Sequence, residues 1–129
     1  NEKGGELAAD DNQGVSADTI KLGTIADPGF SGRLGLNQEL FDAGDAFVQW
    51  CNAAGGINGK KLELTKHDAK LTDYQPVVEA SCKSDFAMVG GGALQDNLWS
   101  EVGAACGLID VTGFSVTAQK AGLAGEDPT

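Results

Sequence analysis

Residues 52–59 constrain the fold of this chain more than any other segment, because they join a helix pattern to a strand pattern through a very short connection. Before them, apolar residues recur at the three- and four-residue spacing of one helix face. These residues are Leu40, Phe41, Gly44, Phe47, Val48 and Cys51. After them, residues 61–67 alternate as a strand does. The consecutive glycines Gly55 and Gly56 supply the left-handed backbone that a helix exit needs. A helix is therefore followed directly by a strand, as in an α/β unit.

The rest of the chain repeats this alternation. Strands are predicted at residues 20–26, 61–67, 86–89 and 108–111. Helices are predicted from Asn37 to the glycine pair, from Thr72 or Asp73 to residues 84–85 with Pro76 in the first turn, and from Asp96 or Asn97 to Gly107. The order βαβαβαβ predicts an α/β fold, a three-layer αβα sandwich with a parallel sheet. Ligands of such sheets bind at the carboxyl ends of the strands, where loops 27–36, 90–95 and 112–117 should meet.

Length and composition indicate a single folded unit. A chain of 129 residues has the size of one domain. Residues 1–17 are small, polar and acidic, so they are predicted to be a flexible leader, either a tether from a lipid-anchored or cleaved terminus or a frayed end. Residues 18–120 form the predicted α/β ligand-binding lobe, and residues 121–129 are predicted to be a flexible carboxyl-terminal loop or a truncation point.

Charge and cysteine spacing exclude several partners. A formal net charge of −10 disfavours nucleic acid and anionic membranes, because both would repel the chain. The three cysteines show no Cys-x-x-Cys spacing, and His67 is the sole histidine, so no metal site is predicted.

The glycine-rich loops do not match nucleotide-binding motifs. Gly29, Gly32 and Gly35 are spaced G-x-x-G-x-x-G rather than G-x-G-x-x-G, and no Walker-type lysine follows residues 90–92. Asp68 could still act as a ribose-binding acid, so a nucleotide- or flavin-binding enzyme of Rossmann or flavodoxin type remains the alternative. No nucleophile motif accompanies the histidine, and Trp50 and Trp99 are interpreted as packing residues. We therefore expect no catalytic residues and no cofactor.

Residues 52–64, Asn-Ala-Ala-Gly-Gly-Ile-Asn-Gly-Lys-Lys-Leu-Glu-Leu, resemble the first lobe of the type I periplasmic solute-binding proteins, the branched-chain amino-acid-binding group. The resemblance extends over about residues 20–117. It implies a non-enzymatic receptor of a bacterial ABC-type uptake or sensing system. Such a receptor holds a small organic solute, an amino acid, amide or carboxylate, between two lobes and has ABC permease subunits as partners. The implied location is the periplasm or the outside of the cell, with lipid anchoring at the cell surface as one form.

The resemblance also implies which residues contact the ligand. Together with the strand-end rule for open sheets, it gives Phe30, Ser31, Leu36, Gly92, Ala93, Leu94, Gln95, Gly113, Phe114 and Ser115. Two positions depart from the family pattern. Residues 93–95 replace a small hydroxyl residue that the family often has, and Leu36 stands where an aromatic residue is common. These departures favour a more apolar ligand than an amino acid, an aromatic or sterol-like carboxylate.

The predicted topology suggests a cysteine pairing. If the second and third helices share one sheet face and the first helix lies on the other, Cys82 and Cys106 approach each other at the ends of neighbouring helices. We therefore predict a Cys82 to Cys106 disulfide and a free, buried Cys51. The alternative is that all three are buried small apolar residues.

The resemblance further implies an incomplete lobe. The family completes this lobe with elements that return from the carboxyl-terminal part of the receptor, so the chain is expected to be an amino-terminal fragment. Residues 110–113 would then form a bare sheet edge, and the first helix would lack a neighbour on its face. Self-association of the fragment is expected from such an exposed apolar surface.

Overall fold

A computed structural model describes the backbone of residues 13–126 and the surroundings of side chains up to residue 122. The elements in chain order are β1 (Thr19–Ala26), α1 (Gln38–Ala53), β2 (Lys61–Asp68), α2 (Tyr74–Ser84), β3 (Ala87–Val89), a 3₁₀ turn (Asp96–Leu98) leading into α3 (Trp99–Val102), β4 (Ile109–Val111) and α4 (Ala118–Glu126). The four strands form one sheet in the order β2-β1-β3-β4, and every pair is parallel. The predicted α/β fold with a parallel sheet is confirmed.

The helices cover the sheet from two sides. On one side α1 packs its Cys51 against Leu22, Leu62 and Ala87. On the other side α2 and α3 enclose a larger cluster, which comprises Ile25, Ala69, Tyr74, Val78, Met88, Ala93 and Trp99. The central strand β1 is therefore buried on both faces, and its residues from Leu22 to Ala26 are all buried. This gives the three layers that the alternation predicts.

The turn between α1 and β2 has the predicted form. Gly55 and Gly56 adopt φ values of 109° and 78°, which residues with a Cβ rarely adopt. Asn52 locks the turn, because its side-chain amide donates to the Leu62 carbonyl at 3.0 Å and its Oδ1 accepts from the Leu62 amide at 2.8 Å. The end of the helix is thereby fixed to the first residues of the strand.

The helices differ from the prediction in two ways: their first turns lack the predicted side-chain caps, and the third helix is shorter. Asn37 and Asp73 occupy the N-cap positions of α1 and α2, but neither side chain forms a capping hydrogen bond. The third helix does not continue to Gly107 and ends at Val102. The indole of Trp99 lies against Gly103, and the Ala104 amide bonds the Trp99 carbonyl five residues back. The chain then leaves the regular helix in a series of turns.

Both terminal segments form contacts or regular structure where they are described. Of the expected leader, residues 1–12 lie outside the described part, whereas the Gln13 side chain donates to the carbonyls of Cys82 and Asp85, both at 2.9 Å. Residues 13–17 are therefore attached to the fold. The expected loop at residues 121–129 is helical as far as Glu126. Thr117 explains this helix start, since its Oγ1 accepts from the Lys120 amide at 3.3 Å as an N-cap.

The cysteines follow the predicted pairing. Cys82 and Cys106 form a disulfide with a Cα–Cα distance of 6.1 Å, and Cys51 is a free, buried thiol. Cys106 lies in the turns after α3 rather than in a last helical turn. Within the described chain, no helix combines the length and the apolar character needed to cross a bilayer.

Candidate functional site

The loops that follow β1, β3 and β4 meet at the carboxyl end of the sheet. The Gly92 amide donates to the Ile25 carbonyl at 2.9 Å, which extends the pairing of β3 with β1 beyond the strand. The amides of Gly113 and Phe114 donate to the Gly91 carbonyl at 2.9 and 3.2 Å, which joins the loop after β4 to the same segment. We call the surface formed by these three loops the strand-end rim.

Asp27 holds the rim together from inside. It directly follows β1 and is fully buried, with 0% of its surface exposed. Its carboxylate accepts hydrogen bonds from the Leu71 amide at 2.7 Å and from the Leu94 amide at 2.8 Å. One carboxylate therefore ties the end of β1 to the loops after β2 and β3. A lone acid at the end of an apolar strand is the sequence signal that marks it.

Asp96 plays the same part between the loops after β3 and β4. It is 3% exposed and accepts from the amides of Val116 and Thr117 at 2.7 and 3.0 Å. It also accepts from the Thr117 hydroxyl at 2.6 Å. Hydrogen bonds to a carboxylate are about twice as strong as those between neutral groups. These hydrogen bonds therefore fix the loop after β4 to the loop after β3.

The buried Lys120 of α4 contacts both β4 and α3. Lys120 Nζ is 2.6 Å from Asp110 Oδ2 and 4.5 Å from the ring centroid of Trp99. The Thr112 hydroxyl donates to the same Asp110 oxygen at 2.9 Å.

Burial raises the pKa of the nearby Tyr74 phenol, and the negative charges of Asp96, Asp110 and Asp27 raise it further. Tyr74 is therefore a neutral core residue at any physiological pH.

The predicted site residues fall into two groups at the rim. Gly92 and Ala93 are buried, and the Ala93 side chain belongs to the core, so it has no surface to offer a ligand. The other eight residues are wholly or partly exposed; they are Phe30, Ser31, Leu36, Leu94, Gln95, Gly113, Phe114 and Ser115.

Two aromatic rings lie on glycines of this rim. The Phe114 ring lies over Gly92, and the Phe30 ring lies over Gly32, at positions that a Cβ would occupy. Phe114 keeps 40% of its surface exposed. The glycines of these loops thus make room for aromatic side chains. This use differs from the close approach to phosphate that glycine-rich nucleotide sites require.

Asp68 is also engaged by its own loop. Its Oδ1 accepts from the amides of Gly29 and Lys70 at 3.1 and 3.0 Å. One of its two carboxylate oxygens is therefore already bonded to the backbone. In addition, α1 begins at Gln38, well after the end of β1 at Ala26, so its N-terminus does not follow the strand closely as in a dinucleotide site.

His67 belongs to a buried network on the α2 side of the sheet. Its Nε2 lies 2.9 Å from Asp85 Oδ2, and the Ser81 hydroxyl donates to that same oxygen at 2.6 Å. Burial alone would raise the pKa of Asp85, but the hydrogen bonds from His67 and Ser81 hold it below its ordinary value. The serine bonds the acid rather than the histidine, and the three residues are at most 9% exposed. This is not the order of a nucleophilic triad.

Two open grooves occur away from the predicted residues. One of about 700 Å³ runs along the disulfide between α2 and α3, and its walls include Glu79, Lys83 and Glu101. Another of about 340 Å³ lies between residues 13–21 and the end of α2. Neither contains a predicted ligand residue. Among the described residues, no group of three or more His, Cys, Asp or Glu side chains is placed to hold a metal ion.

No protein-family model matches this chain, and neither a curated protein nor a solved structure matches it. A proposal for the function therefore depends on the geometry of the strand-end rim and on the sequence resemblance.

Proposed function

We propose that this chain is the ligand-binding wall of a non-catalytic solute-binding lobe, which serves a bacterial ABC-type uptake or sensing system. The observation that carries this proposal is the strand-end rim. Backbone hydrogen bonds and the buried Asp27 and Asp96 hold three loops rigid, and the loops present aromatic, amide and hydroxyl groups outward. A few polar groups on a largely apolar surface are typical of small-molecule sites.

The hydrogen bonds and ion pairs of the acidic side chains support a binding function over a catalytic one. A general base needs a carboxylate that is open to substrate. Asp27, Asp68 and Asp96 all accept backbone amides, and Asp110 is paired with Lys120. These four acids therefore serve to hold the loops and helices in place.

The charges near the rim favour a small carboxylate as the ligand. Arg33 lies exposed on the loop after β1 and forms no ion pair within the described part of the chain. A guanidinium on a rim of phenyl, amide and hydroxyl groups suits an apolar molecule with one carboxylate. A second lobe would close over it, and permease subunits would receive it. The disulfide supports an exported location, because such bonds persist in oxidising compartments.

A thermal-shift screen of the 129-residue chain tests this proposal. We expect phenylacetate or L-leucine to raise the melting temperature, and AMP or FMN to leave it unchanged, because only a ligand of the native state stabilises by mass action. Gln95→Ala and Ser115→Ala should weaken binding several-fold and leave the melting temperature of the free protein unchanged. Gln75→Ala, on the exposed side of α2, is the matched control. Stabilisation by the nucleotides alone would favour the enzyme alternative instead.

A further inference from the structure

We propose that the disulfide between Cys82 and Cys106 is a thiol–disulfide exchange site, which an uncharged dithiol reduces while the protein stays folded, and that its reduction loosens the strand-end rim. The two cysteines line the open groove of about 700 Å³ between α2 and α3. Both keep part of their surface exposed. Exchange requires that a thiolate reach one of the two sulfurs. The groove gives a small reagent this access without unfolding of the core.

The charges on the groove walls select the kind of reagent. Glu79 and Glu101 are exposed there, and Lys83 is the only basic residue among the described residues that line the groove. The chain as a whole carries a net charge of −10. An anionic thiol such as glutathione is therefore repelled on approach. An uncharged dithiol brings only the charge of its thiolate, so the groove favours it.

The exchange balances with the dithiol as its only co-reactant. One thiolate of the dithiol attacks one sulfur, a mixed disulfide forms, and the other cysteine leaves as a thiolate. The second thiol of the reagent then breaks the mixed disulfide and closes a disulfide within the reagent. The protein gains two electrons and two protons as two thiols, and the dithiol is oxidised.

Cys51 does not supply the reducing thiol. It is 7% exposed and packs with Leu62 and Ala87 on the α1 side of the sheet. Cys82 packs against the cluster on the opposite side. The sheet therefore separates the free thiol from the disulfide. Cys51 instead reports whether the core has opened, because only opening makes it accessible.

The segment between β3 and β4 connects the disulfide to the rim. It contains a 3₁₀ turn and the four-residue α3, which is too short to be stable alone. The disulfide fixes the segment at Cys106, and the core holds it at Trp99. In the 3₁₀ turn, Asp96 accepts hydrogen bonds from the amides of Val116 and Thr117. Reduction removes one of these two attachments, so the segment opens more often and the loop after β4 loses part of its support.

Alkylation of the folded 129-residue chain tests the proposal. The chain is treated with millimolar dithiothreitol in the absence of denaturant, and mass spectrometry locates the alkylated cysteines. We expect alkylation at Cys82 and Cys106, with Cys51 unmodified. Hydrogen exchange of the reduced protein should be at least about tenfold faster at residues 99–107 and severalfold faster at residues 113–117, with β1 unchanged.

A charge variant tests the role of the groove. Glu101→Gln should raise the rate of reduction by dithiothreitol severalfold, because the attacking thiolate is anionic, and should raise the rate with glutathione more. Glu39→Gln is the matched control. Both acids lie in the first turn of a helix and are exposed, but Glu39 belongs to α1 on the other side of the sheet. Its replacement should leave both rates unchanged.

Three results would overturn the proposal. Alkylation of all three cysteines at the same rate would mean that reduction requires global unfolding. Equal rates for Glu101→Gln and the wild type would mean that the thiolate does not enter through this groove. Unchanged hydrogen exchange at residues 113–117 after selective reduction would mean that the disulfide does not support the rim.

Discussion

Asp85 connects two layers of the fold through a single side chain. It accepts hydrogen bonds from Ser81 of its own helix and from His67 of β2, and Gly23 of β1 leaves the space that this network fills. Asp85 is 1% exposed, and burying an unpaired carboxylate would cost several kcal/mol of folding free energy. The hydrogen bonds from His67 and Ser81 offset this cost. The hydrogen-bonded pair of His67 and Asp85 is therefore a determinant of stability.

The pH dependence of Asp85 gives a prediction at this scale. Its pKa is lowered in the folded state, so its stabilisation is present above the unfolded value of about 3.9 and is lost as the pH falls through the folded value. Asp85→Asn should cost about 3 kcal/mol of unfolding free energy at neutral pH, and less below about pH 4. Urea unfolding at a series of pH values measures both.

The control for this substitution is Asp42→Asn. Asp42 is exposed, and within the described residues it bonds only Gln38 on the same helix, so its replacement should change the unfolding free energy by less than about 0.5 kcal/mol. An Asp85→Asn deficit that stays constant down to pH 3 would contradict the assignment of the stabilisation to the ionised carboxylate.

At the scale of elements, the disulfide compensates for a weak third helix. The segment after β3 contains only a 3₁₀ turn and the four-residue α3 before the chain reaches β4. Helices this short are not stable alone. The bond between Cys82 and Cys106 attaches the segment to α2, and the packing of Trp99 under Lys120 adds a second attachment.

Removing the disulfide should therefore destabilise this side of the molecule most. The bond closes a separation of 24 residues, for which chain entropy gives about 3 kcal/mol. Denaturant unfolding of a Cys82→Ser, Cys106→Ser double variant should show that loss. Thiol titration of the denatured wild type should find one free thiol, Cys51, before reduction and three after it. A count of three before reduction would contradict the pairing.

At the scale of the whole molecule, stability is expected to decline across the sheet from β1 to β4. Strand β1 is central and its residues from Leu22 to Ala26 are buried, whereas β4 is a three-residue edge strand with two exposed apolar residues. Local opening has the lowest free energy where few apolar groups are buried.

Hydrogen exchange can measure this gradient. Amides of β1 should exchange only through global unfolding, and those of β4 and α4 should exchange at least about tenfold faster. Equal protection of β1 and β4 would mean that the fold opens as a single unit.

Local sequence patterns determined the elements and their order. The apolar periods, the glycine pair at Gly55 and Gly56 and the alternation of strands with helices predict the parallel α/β sheet that the structure has. The handedness of the crossovers then places two helices on one face, from which the Cys82 to Cys106 pairing was predictable. These features depend on neighbours in sequence or on topology alone.

Tertiary structure alone decided which side chains are covered and which polar groups meet. Phe47 lies in the predicted apolar face of α1 and Trp50 is predicted to be a packing residue, yet both are exposed because no element of the described chain covers that flank. The hydrogen-bond partners of Asp27, Asp96 and Lys120 were not predictable from the sequence, since they lie 10 to 67 residues away in the chain. Burial and hydrogen bonding are properties of what packs against a residue, and a single sequence specifies them only through the fold that it adopts.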